Sequence, residues 1–208
     1  MKYDTFIWDF DGTLYDSYPP LAEVCTEYLH EHGIQDDYNE VLRVLKVTVA
    51  HFCDVYGGKL GISSAEMLEN YRQIIREHPR DFAPYPGVKE MLASVTARGG
   101  INLLYTHRGL DGLDFLRRDG LLPYFSGHIT REDGFPLKPA PDALIHLINK
   151  YHLDRDRSVM IGDRDIDLLA AKGAGIRTCL FDPDHFYPDF KADDTFDSFE
   201  GMTRALTL

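Results

Sequence analysis

Two aspartates separated by one residue follow directly after a short apolar segment near the N-terminus. Residues 3–7 are mostly apolar or β-branched and predict a buried strand, and Asp9 and Asp11 come just after it. Side chains at i and i+2 of an extended chain point to the same face, so both carboxylates are directed at one spot. Two such charges repel unless a cation or a shared proton joins them. The spacing is typical of a metal-assisted acid/base site, with a solvated Asp-Gly turn as the alternative.

The composition of the 208-residue chain restricts the classes of partner that it can have. A hydrophobic content of 44% with 12% aromatic residues predicts a folded core and argues against disorder. The formal net charge of −12 disfavours nucleic acids and anionic membranes as partners, because both are negatively charged. A small phosphorylated substrate stays compatible with this charge, because a divalent cation can reverse the sign of a local site.

Three widely separated cysteines without Cys-x-x-Cys spacing predict neither a zinc site nor a disulfide framework. The chain shows no signal-peptide pattern and no run of apolar residues long enough to span a membrane. We therefore expect a cytoplasmic protein, and we expect it to be a monomer or a weak homodimer.

Hydrophobic periodicity divides the chain into a helical block and an alternating block. Residues of about 18 to 80 show helical spacing throughout, whereas residues 83–87 form a rigid Pro- and Gly-containing break. After this break we predict strands at 101–105, 128–130, 158–161 and 178–181 and helices at 88–97, 110–118, 142–151 and 166–172. This alternation predicts an α/β fold, a Rossmann-like core whose parallel sheet has helices on both faces. The first strand belongs to the core, so we expect a core of residues 1–16 and 84–208 and an all-helical domain of residues 17–83.

Polar residues follow several of the predicted strands. Thr106, His107 and Arg108 follow the second strand, and an acidic run from Asp163 to Asp167 follows the strand at 158–161. Sites in open α/β sheets gather at the carboxyl ends of strands. Each group also has a structural interpretation, because Thr106 can cap the next helix and the acidic run suits a helix start.

A lysine precedes the predicted helix at 142–151. Lys138 stands in the sequence Lys-Pro-Ala-Pro-Asp, and on its own it can equally be a solvated loop residue. The functional interpretation depends on all of these groups meeting at one edge of the sheet.

Taken together, these segments resemble the four motifs of the haloacid dehalogenase-like hydrolase superfamily, in the same order. The matching residues are Asp9-x-Asp11-Gly12-Thr13-Leu14-x-Asp16-Ser17, Thr106, Lys138-Pro-x-Pro-Asp142 and Gly162-Asp163-x-x-x-Asp167. The helical insertion after the first motif is similar to the helical cap of phosphoglycolate phosphatase- and β-phosphoglucomutase-like members, which closes over the site and reads the leaving group.

The resemblance implies a phosphatase that hydrolyses a small phosphomonoester metabolite through an aspartyl-phosphate, with Mg²⁺ as cofactor. Asp9 would be the nucleophile, and Asp11 would first protonate the leaving oxygen and then activate water. Mg²⁺ prefers oxygen ligands and would be held by Asp9, Asp163, the carbonyl of Asp11 and, directly or through water, Asp167. Thr106 and the backbone N–H of His107 would bind phosphate oxygens, and Lys138 would offset the accumulated negative charge.

The chain departs from the family pattern after Thr106, where similar enzymes usually carry Ser or Asn. The side chains of His107 and Arg108 either contact phosphate or substrate or only pack, and both interpretations stay open. We interpret Arg164, which is flanked by acids, as a charge-balancing residue. Residue type alone makes Arg43, Lys46, His51 and Lys59 candidates for substrate recognition by the helical domain.

Three other functions compete with a phosphatase. A dehalogenase of the same superfamily lacks the second aspartate of the first motif, so Asp11 argues against it. A phosphosugar mutase shares the cap type and all four motifs, and it is disfavoured because the helical domain offers few Lys and Arg residues near its expected mouth to grip a bisphosphorylated sugar. A phospho-acceptor signalling module is shorter and places its acceptor aspartate on a later strand.

Overall fold

A computed structural model describes residues 1–78, 81–187 and 189–207 of the chain. These residues form two compact units, which we call the core unit (Met1–Tyr15 with Pro84–Leu208) and the helical unit (Asp16–Ala83). The end of the predicted helical block at residues 79 and 80, and positions 188 and 208 of the predicted core, lie outside the described residues.

The helical unit contains four helices and no strand among its described residues. They are α1 (Tyr18–Glu31), α2 (Tyr38–Val47), α3 (Val49–Leu60) and α4 (Ser64–Glu77). Three of them begin with a side-chain cap, in which the carboxylate or hydroxyl oxygen of Asp37, Thr48 or Ser63 accepts a backbone N–H three residues later. Their apolar faces enclose one core that includes Leu29, Val41, Phe52, Tyr56 and Met67.

The core unit is built on a parallel six-stranded sheet. Its strands are β1 (Thr5–Trp8), β2 (Ile101–Tyr105), β3 (Phe125–Ile129), β4 (Ser158–Gly162), β5 (Arg177–Phe181) and β6 (Asp194–Phe196). The order across the sheet is β3-β2-β1-β4-β5-β6, and every neighbouring pair is parallel. Since β1 pairs with both β2 and β4, the residues that follow these three strands come together at one edge.

Helices cover both faces of this sheet. They are α5 (Val88–Ala97), α6 (Asp111–Arg118), α7 (Asp142–Tyr151), α8 (Asp165–Ala174) and α9 (Phe199–Thr207). Successive side chains of β1 point to opposite faces. Ile7 packs among buried residues of α7 and α8, whereas Trp8 stacks on Phe199 of α9 with ring centroids 5.9 Å apart. Of the described helices, none is long and apolar enough to traverse a lipid bilayer.

A buried asparagine joins β1 and β2 to α5. The Asn102 side-chain oxygen accepts the indole N–H of Trp8 at 3.0 Å. Its amide nitrogen donates to the carbonyl oxygens of Leu92 and Tyr124 at 3.1 and 3.3 Å. Because Asn102 is 1% exposed, no water can replace these partners, so the residue fixes the packing on this face of the sheet.

The predicted α/β fold class is confirmed. The predicted elements 88–97, 101–105 and 142–151 coincide with α5, β2 and α7. Within the predicted helical block of about 18 to 80, Thr48 separates α2 from α3, because it is extended and caps α3. It also assigned nothing to β6 and α9, and β6 has three residues, too few to show a strand alternation.

We expect Asn102→Leu to destabilise the core unit by about 3 kcal/mol, because it leaves the Trp8 indole and two carbonyls buried without partners. Urea denaturation of the purified variant measures this loss. Asn149→Leu, at an exposed position of α7, is the matched control and is expected to change the unfolding free energy little. Equal stability of the two variants would contradict the role given to Asn102.

Candidate active site

A buried lysine connects two carboxylates at the carboxyl edge of the sheet. Lys138 Nζ donates to Asp9 Oδ1 at 2.8 Å, to Asp167 Oδ1 at 2.6 Å and to the Tyr105 carbonyl oxygen at 2.9 Å. These three bonds use every N–H of the ammonium group, whose side chain is 0% exposed. The alternative of a solvated loop lysine is therefore wrong.

Charge compensation decides the ionisation of this lysine. Burial by itself lowers the pKa of Lys138, but the charges of Asp167 and Asp9 outweigh it, so the net direction is upward. Lys138 therefore stays a cation between two carboxylates.

Asp163 and Asp167 complete the acidic group. Asp163 follows β4 and accepts a hydrogen bond from the hydroxyl of Thr13 at 3.3 Å. Asp167 lies in the first turn of α8, where Oδ2 accepts the backbone N–H of Arg164 at 3.2 Å. The helix-start interpretation of the acidic run is thus correct for Asp167, whose other oxygen contacts Lys138.

A glycine permits this close approach of helix and strand. A β-carbon at Gly162 would lie 2.3 Å from Cβ of Asp167, so any side chain at this position would displace Asp167. Thr13 and Gly162 are therefore part of the site, although sequence analysis gave neither a role of its own.

Three carboxylates of this group suit a hard divalent cation. One oxygen each from Asp9, Asp163 and Asp167 lies within 4.8 Å of the others. Asp9 Oδ2 is buried and has no hydrogen-bond partner among the described residues. Burial raises the pKa of Asp9, with the neighbouring Asp167 charge adding to it, and burial raises the pKa of Asp163 to about 8. Lys138 and Arg164 compensate the charge of these carboxylates only in part, and an all-oxygen donor set of this kind fits Mg²⁺.

Thr106 is the first residue after β2, and its hydroxyl oxygen bonds to the backbone of the following turn. Thr106 is 2% exposed, and its Oγ1 accepts the backbone N–H of Arg108 at 3.0 Å. It does not cap α6, whose preceding residue Leu110 makes no side-chain cap bond. Its hydroxyl hydrogen stays available to an acceptor, because a hydroxyl both donates and accepts.

His107 supports the lysine through the backbone. Its Nε2 accepts the backbone N–H of Lys138 at 2.8 Å, so the proton of the neutral ring is on Nδ1. Burial, reinforced by the charge of Lys138, lowers the pKa of His107 to about 4. The side chain is therefore a neutral acceptor that positions the backbone of Lys138, and a contact of the ring with phosphate or substrate stays a prediction.

The Asp11 carboxylate is held by Arg108 and lies outside the three-carboxylate group. Arg108 Nη2 donates to Asp11 Oδ1 at 2.5 Å, and its Nε donates to Oδ2 at 3.2 Å. Both side chains are largely buried, with 16% of Arg108 and 25% of Asp11 exposed. Burial opposes ionisation of Arg108, but the charge of Asp11 raises its pKa above the usual value. The two residues are 97 positions apart, so no sequence pattern could pair them.

Arg164 contributes a second cation to the site. Its Nη2 lies 3.7 Å from Asp9 Oδ2, and its Nε lies 4.0 Å from Asp163 Oδ1. At these distances the guanidinium reduces the repulsion between the two carboxylates.

Candidate residues of the helical unit make local contacts within that unit. Arg43 pairs with Glu40 at 2.8 Å, and Lys59 pairs with Asp36. Lys46 Nζ lies 5.7 Å from the ring centroid of Tyr18, and the backbone N–H of His51 donates to the cap residue Thr48. The side chains of Arg43, Lys46 and Lys59 therefore have partners within the helical unit, whereas the contact of His51 is made by its backbone.

Comparison with known proteins places this constellation in a family. A sequence profile described as haloacid dehalogenase-like hydrolase matches residues 6–181. A phosphoglycolate phosphatase of Vibrio parahaemolyticus is 32% identical over 81% of this chain and 78% of its own length. The crystal structure of a hydrolase from Streptococcus pneumoniae TIGR4 shares 31% identity with a TM-score of 0.67, covering 87% of this chain and 94% of the other.

A more distant structure supports the fold alone. A crystal structure described as a predicted phosphoglycolate phosphatase from Haemophilus somnus has a TM-score of 0.80 at 22% identity, covering 98% of both chains. Since the profile includes the strand before Asp9 and extends through Asp167 to the end of β5, it contains every residue of the site described above. The chain belongs to the haloacid dehalogenase-like hydrolase family.

Proposed function

We propose that this protein is a Mg²⁺-dependent phosphatase that hydrolyses a small phosphomonoester through an aspartyl-phosphate on Asp9. The observation that carries the proposal is the state of Asp9, whose Oδ1 is held by Lys138 while Oδ2 is buried without a hydrogen-bond partner among the described residues. An oriented carboxylate with one oxygen that accepts no hydrogen bond is suited to act as a nucleophile. Membership of a hydrolase family with relatives named as phosphatases identifies the protein as a phosphatase.

In the first step Asp9 Oδ2 attacks phosphorus, and the bond between phosphorus and the ester oxygen breaks. The electron pair of that bond goes to the leaving alkoxide, which takes a proton from Asp11. The phosphoryl group then forms a mixed anhydride with Asp9. Lys138 keeps the nucleophile oriented from its other oxygen throughout.

In the second step water attacks the phosphorus of the aspartyl-phosphate. Asp11 takes the proton of that water, and the bond between phosphorus and the Asp9 oxygen breaks to release inorganic phosphate. Asp9 is regenerated as a carboxylate, so one phosphomonoester and one water give one alcohol and one phosphate.

The phosphoryl oxygens are bound by groups at the end of β2. The Thr106 hydroxyl and the backbone N–H of His107 are the donors, and Lys138 offsets the combined charge of phosphate and carboxylates. Asp9, Asp163 and Asp167 would hold Mg²⁺, together with the backbone carbonyl of Asp11, and the ion would further neutralise charge at the phosphoryl group. The substrate is a small phosphorylated metabolite. The first candidate is 2-phosphoglycolate, because similar proteins are named phosphoglycolate phosphatase.

We expect Asp9→Asn to reduce hydrolysis of p-nitrophenyl phosphate by more than about a thousandfold, because the amide cannot replace the carboxylate nucleophile. The fold should persist, since the amide oxygen still accepts from Lys138 and the charge repulsion with Asp163 and Asp167 falls. Circular dichroism and steady-state kinetics test both statements. Asp114→Asn, at a position whose side chain is 75% exposed, is the matched control.

Substantial turnover by the folded Asp9→Asn variant would disprove the assignment of the nucleophile. A second experiment distinguishes hydrolysis from mutase activity. The wild-type enzyme is incubated with hexose 1-phosphate and a trace of the hexose bisphosphate. Formation of hexose 6-phosphate faster than inorganic phosphate would contradict hydrolysis.

We expect Mg²⁺ to raise the melting temperature of the chelator-treated protein, because a bound cation relieves the repulsion among Asp9, Asp163 and Asp167. The increase should be lost in Asp163→Asn, and activity should disappear without added metal. Ca²⁺ should inhibit, because its larger and looser coordination shell disturbs the in-line geometry. Full activity of metal-stripped enzyme, or an unchanged Mg²⁺ response in Asp163→Asn, would exclude this site.

We expect the stability of the fold to fall between pH 7 and pH 5 partly because of His107. Its folded pKa of about 4 lies below the ordinary value of about 6.5, so in this window the unfolded chain binds a proton that the folded chain does not. The wild type should therefore lose about 2 kcal/mol more unfolding free energy over this interval than His107→Gln. The charged groups that act on His107 are Lys138, Asp9, Arg164 and Asp11.

Urea denaturation of both proteins at the two pH values measures this difference. His146→Gln, at an exposed position of α7, is the control for loss of a histidine. Parallel pH profiles for the wild type and His107→Gln would show that His107 does not produce the effect.

A further inference from the structure

Arg108 divides its guanidinium group between a buried and an exposed partner. Nε and Nη2 hold both oxygens of Asp11, while Nη1 donates to Asp111 Oδ2 at 3.0 Å. The rings of Phe10 and Phe115 lie beside the guanidinium, 5.1 and 5.7 Å from its central carbon to the ring centroids. The group is therefore fixed in position by one carboxylate and two aromatic faces.

The two carboxylate partners differ in how easily another anion can replace them. The Asp11 side chain is 25% exposed and bonds two guanidinium nitrogens, whereas the Asp111 side chain is 56% exposed and bonds one. Solvent-exposed ion pairs contribute little to stability, because water solvates both charges well. An incoming anion can thus take the place of Asp111 without disturbing the Asp11 contact.

The position of Arg108 relates it to the leaving group. This step rests on the proposed function, in which Asp11 contacts the ester oxygen to give it a proton. Arg108 Nη2 lies 2.5 Å from Asp11 Oδ1, so the guanidinium is about two hydrogen-bond lengths from that ester oxygen. A carboxylate on the carbon next to the ester oxygen comes within reach of Nη1, the guanidinium nitrogen that Asp111 occupies, and can accept a charge-assisted hydrogen bond from it.

In the proposed function the phosphoryl group is bound by the Thr106 hydroxyl and the His107 backbone N–H, and the side chain of Arg108 is not one of these donors. The backbone N–H of Arg108 donates to Thr106, which belongs to the predicted phosphate-binding end of β2, but its side chain is directed to Asp11. Its charge is therefore placed beside the alcohol portion of the substrate rather than beside phosphate.

We propose that Arg108 is a specificity-determining residue that binds a carboxylate on the leaving group, with that carboxylate displacing Asp111. Phosphomonoesters that carry a carboxylate next to the ester oxygen are then better substrates than neutral analogues of the same size. Asp111 competes with the substrate for the same guanidinium nitrogen.

The test compares 2-phosphoglycolate with 2-hydroxyethyl phosphate, in which a neutral hydroxymethyl group replaces the carboxylate. The measured quantity is the ratio of kcat/KM for the two substrates in the Mg²⁺-loaded enzyme. We expect the wild type to prefer 2-phosphoglycolate and Arg108→Gln to lower the ratio by about tenfold or more, as expected for one charge-assisted hydrogen bond. Asp111→Asn should raise the ratio, because it removes the competing carboxylate.

Arg117→Gln is the matched control, because Arg117 is exposed on the same helix and pairs with Asp114. It should leave the ratio unchanged. Should Arg108→Gln fail to fold, two other variants test the same statement. Arg108→Lys keeps the positive charge but loses the planar guanidinium group, and Asp111→Asn removes the competing carboxylate.

Two results would overturn the inference. One is an equal loss on both substrates in Arg108→Gln, which would limit Arg108 to positioning Asp11. The other is a wild-type enzyme that hydrolyses both substrates with equal kcat/KM. Failure of the proposed function is a separate result, because the wild type would then release no phosphate from 2-hydroxyethyl phosphate or p-nitrophenyl phosphate either.

Discussion

The ammonium group of Lys138 between the carboxylates of Asp9 and Asp167 is the interaction on which the site depends. All three side chains are almost completely buried, and a carboxylate buried without a positive partner is strongly unfavourable. Lys138 makes the arrangement tolerable by bonding one oxygen of each carboxylate, and the Tyr105 carbonyl takes its third proton. Asp9 Oδ2 and Asp163 accept no hydrogen bond from Lys138, and the guanidinium of Arg164, 3.7 and 4.0 Å away, compensates their charge only in part. The remaining negative charge on these oxygens is what suits Asp9 to act as the nucleophile and Asp9 and Asp163 to bind a metal ion.

Parallel pairing explains how residues so distant in sequence meet there. Because β1 lies between β2 and β4 with all strands running the same way, their carboxyl ends coincide at one edge. Asp9, Thr106 and Asp163 are the residues at or just after these ends. Lys138 joins them from the segment before α7, where His107 holds its backbone N–H. The strands position the carboxylates, and the loops supply the cations that make their proximity possible.

Several side chains serve the fold and the site at once. Asp167 uses one oxygen to satisfy a backbone N–H at the start of α8 and the other to bind Lys138. Thr106 accepts a turn N–H through the hydroxyl that is proposed to donate to phosphate. His107 occupies a position where similar enzymes carry a small polar residue, and its neutral ring serves as a backbone acceptor. Because each such residue has two roles, structural and functional interpretations of these positions are not exclusive.

The α/β class, the helical block of about 18 to 80 and the family were predictable from the amino-acid sequence, because hydrophobic periodicity and motif spacing are local properties of the chain. The sequence also named the carboxylates and Lys138, since side-chain direction on a strand and the meeting of strand ends follow from general geometry. The burial of Lys138, the hydrogen bond from its backbone N–H to His107 and the pairing of Arg108 with Asp11 are visible only in the folded chain. The two pairs of residues are 31 and 97 positions apart. Which side chains meet over such distances depends on the packing of whole elements, and residue type and spacing do not specify that packing.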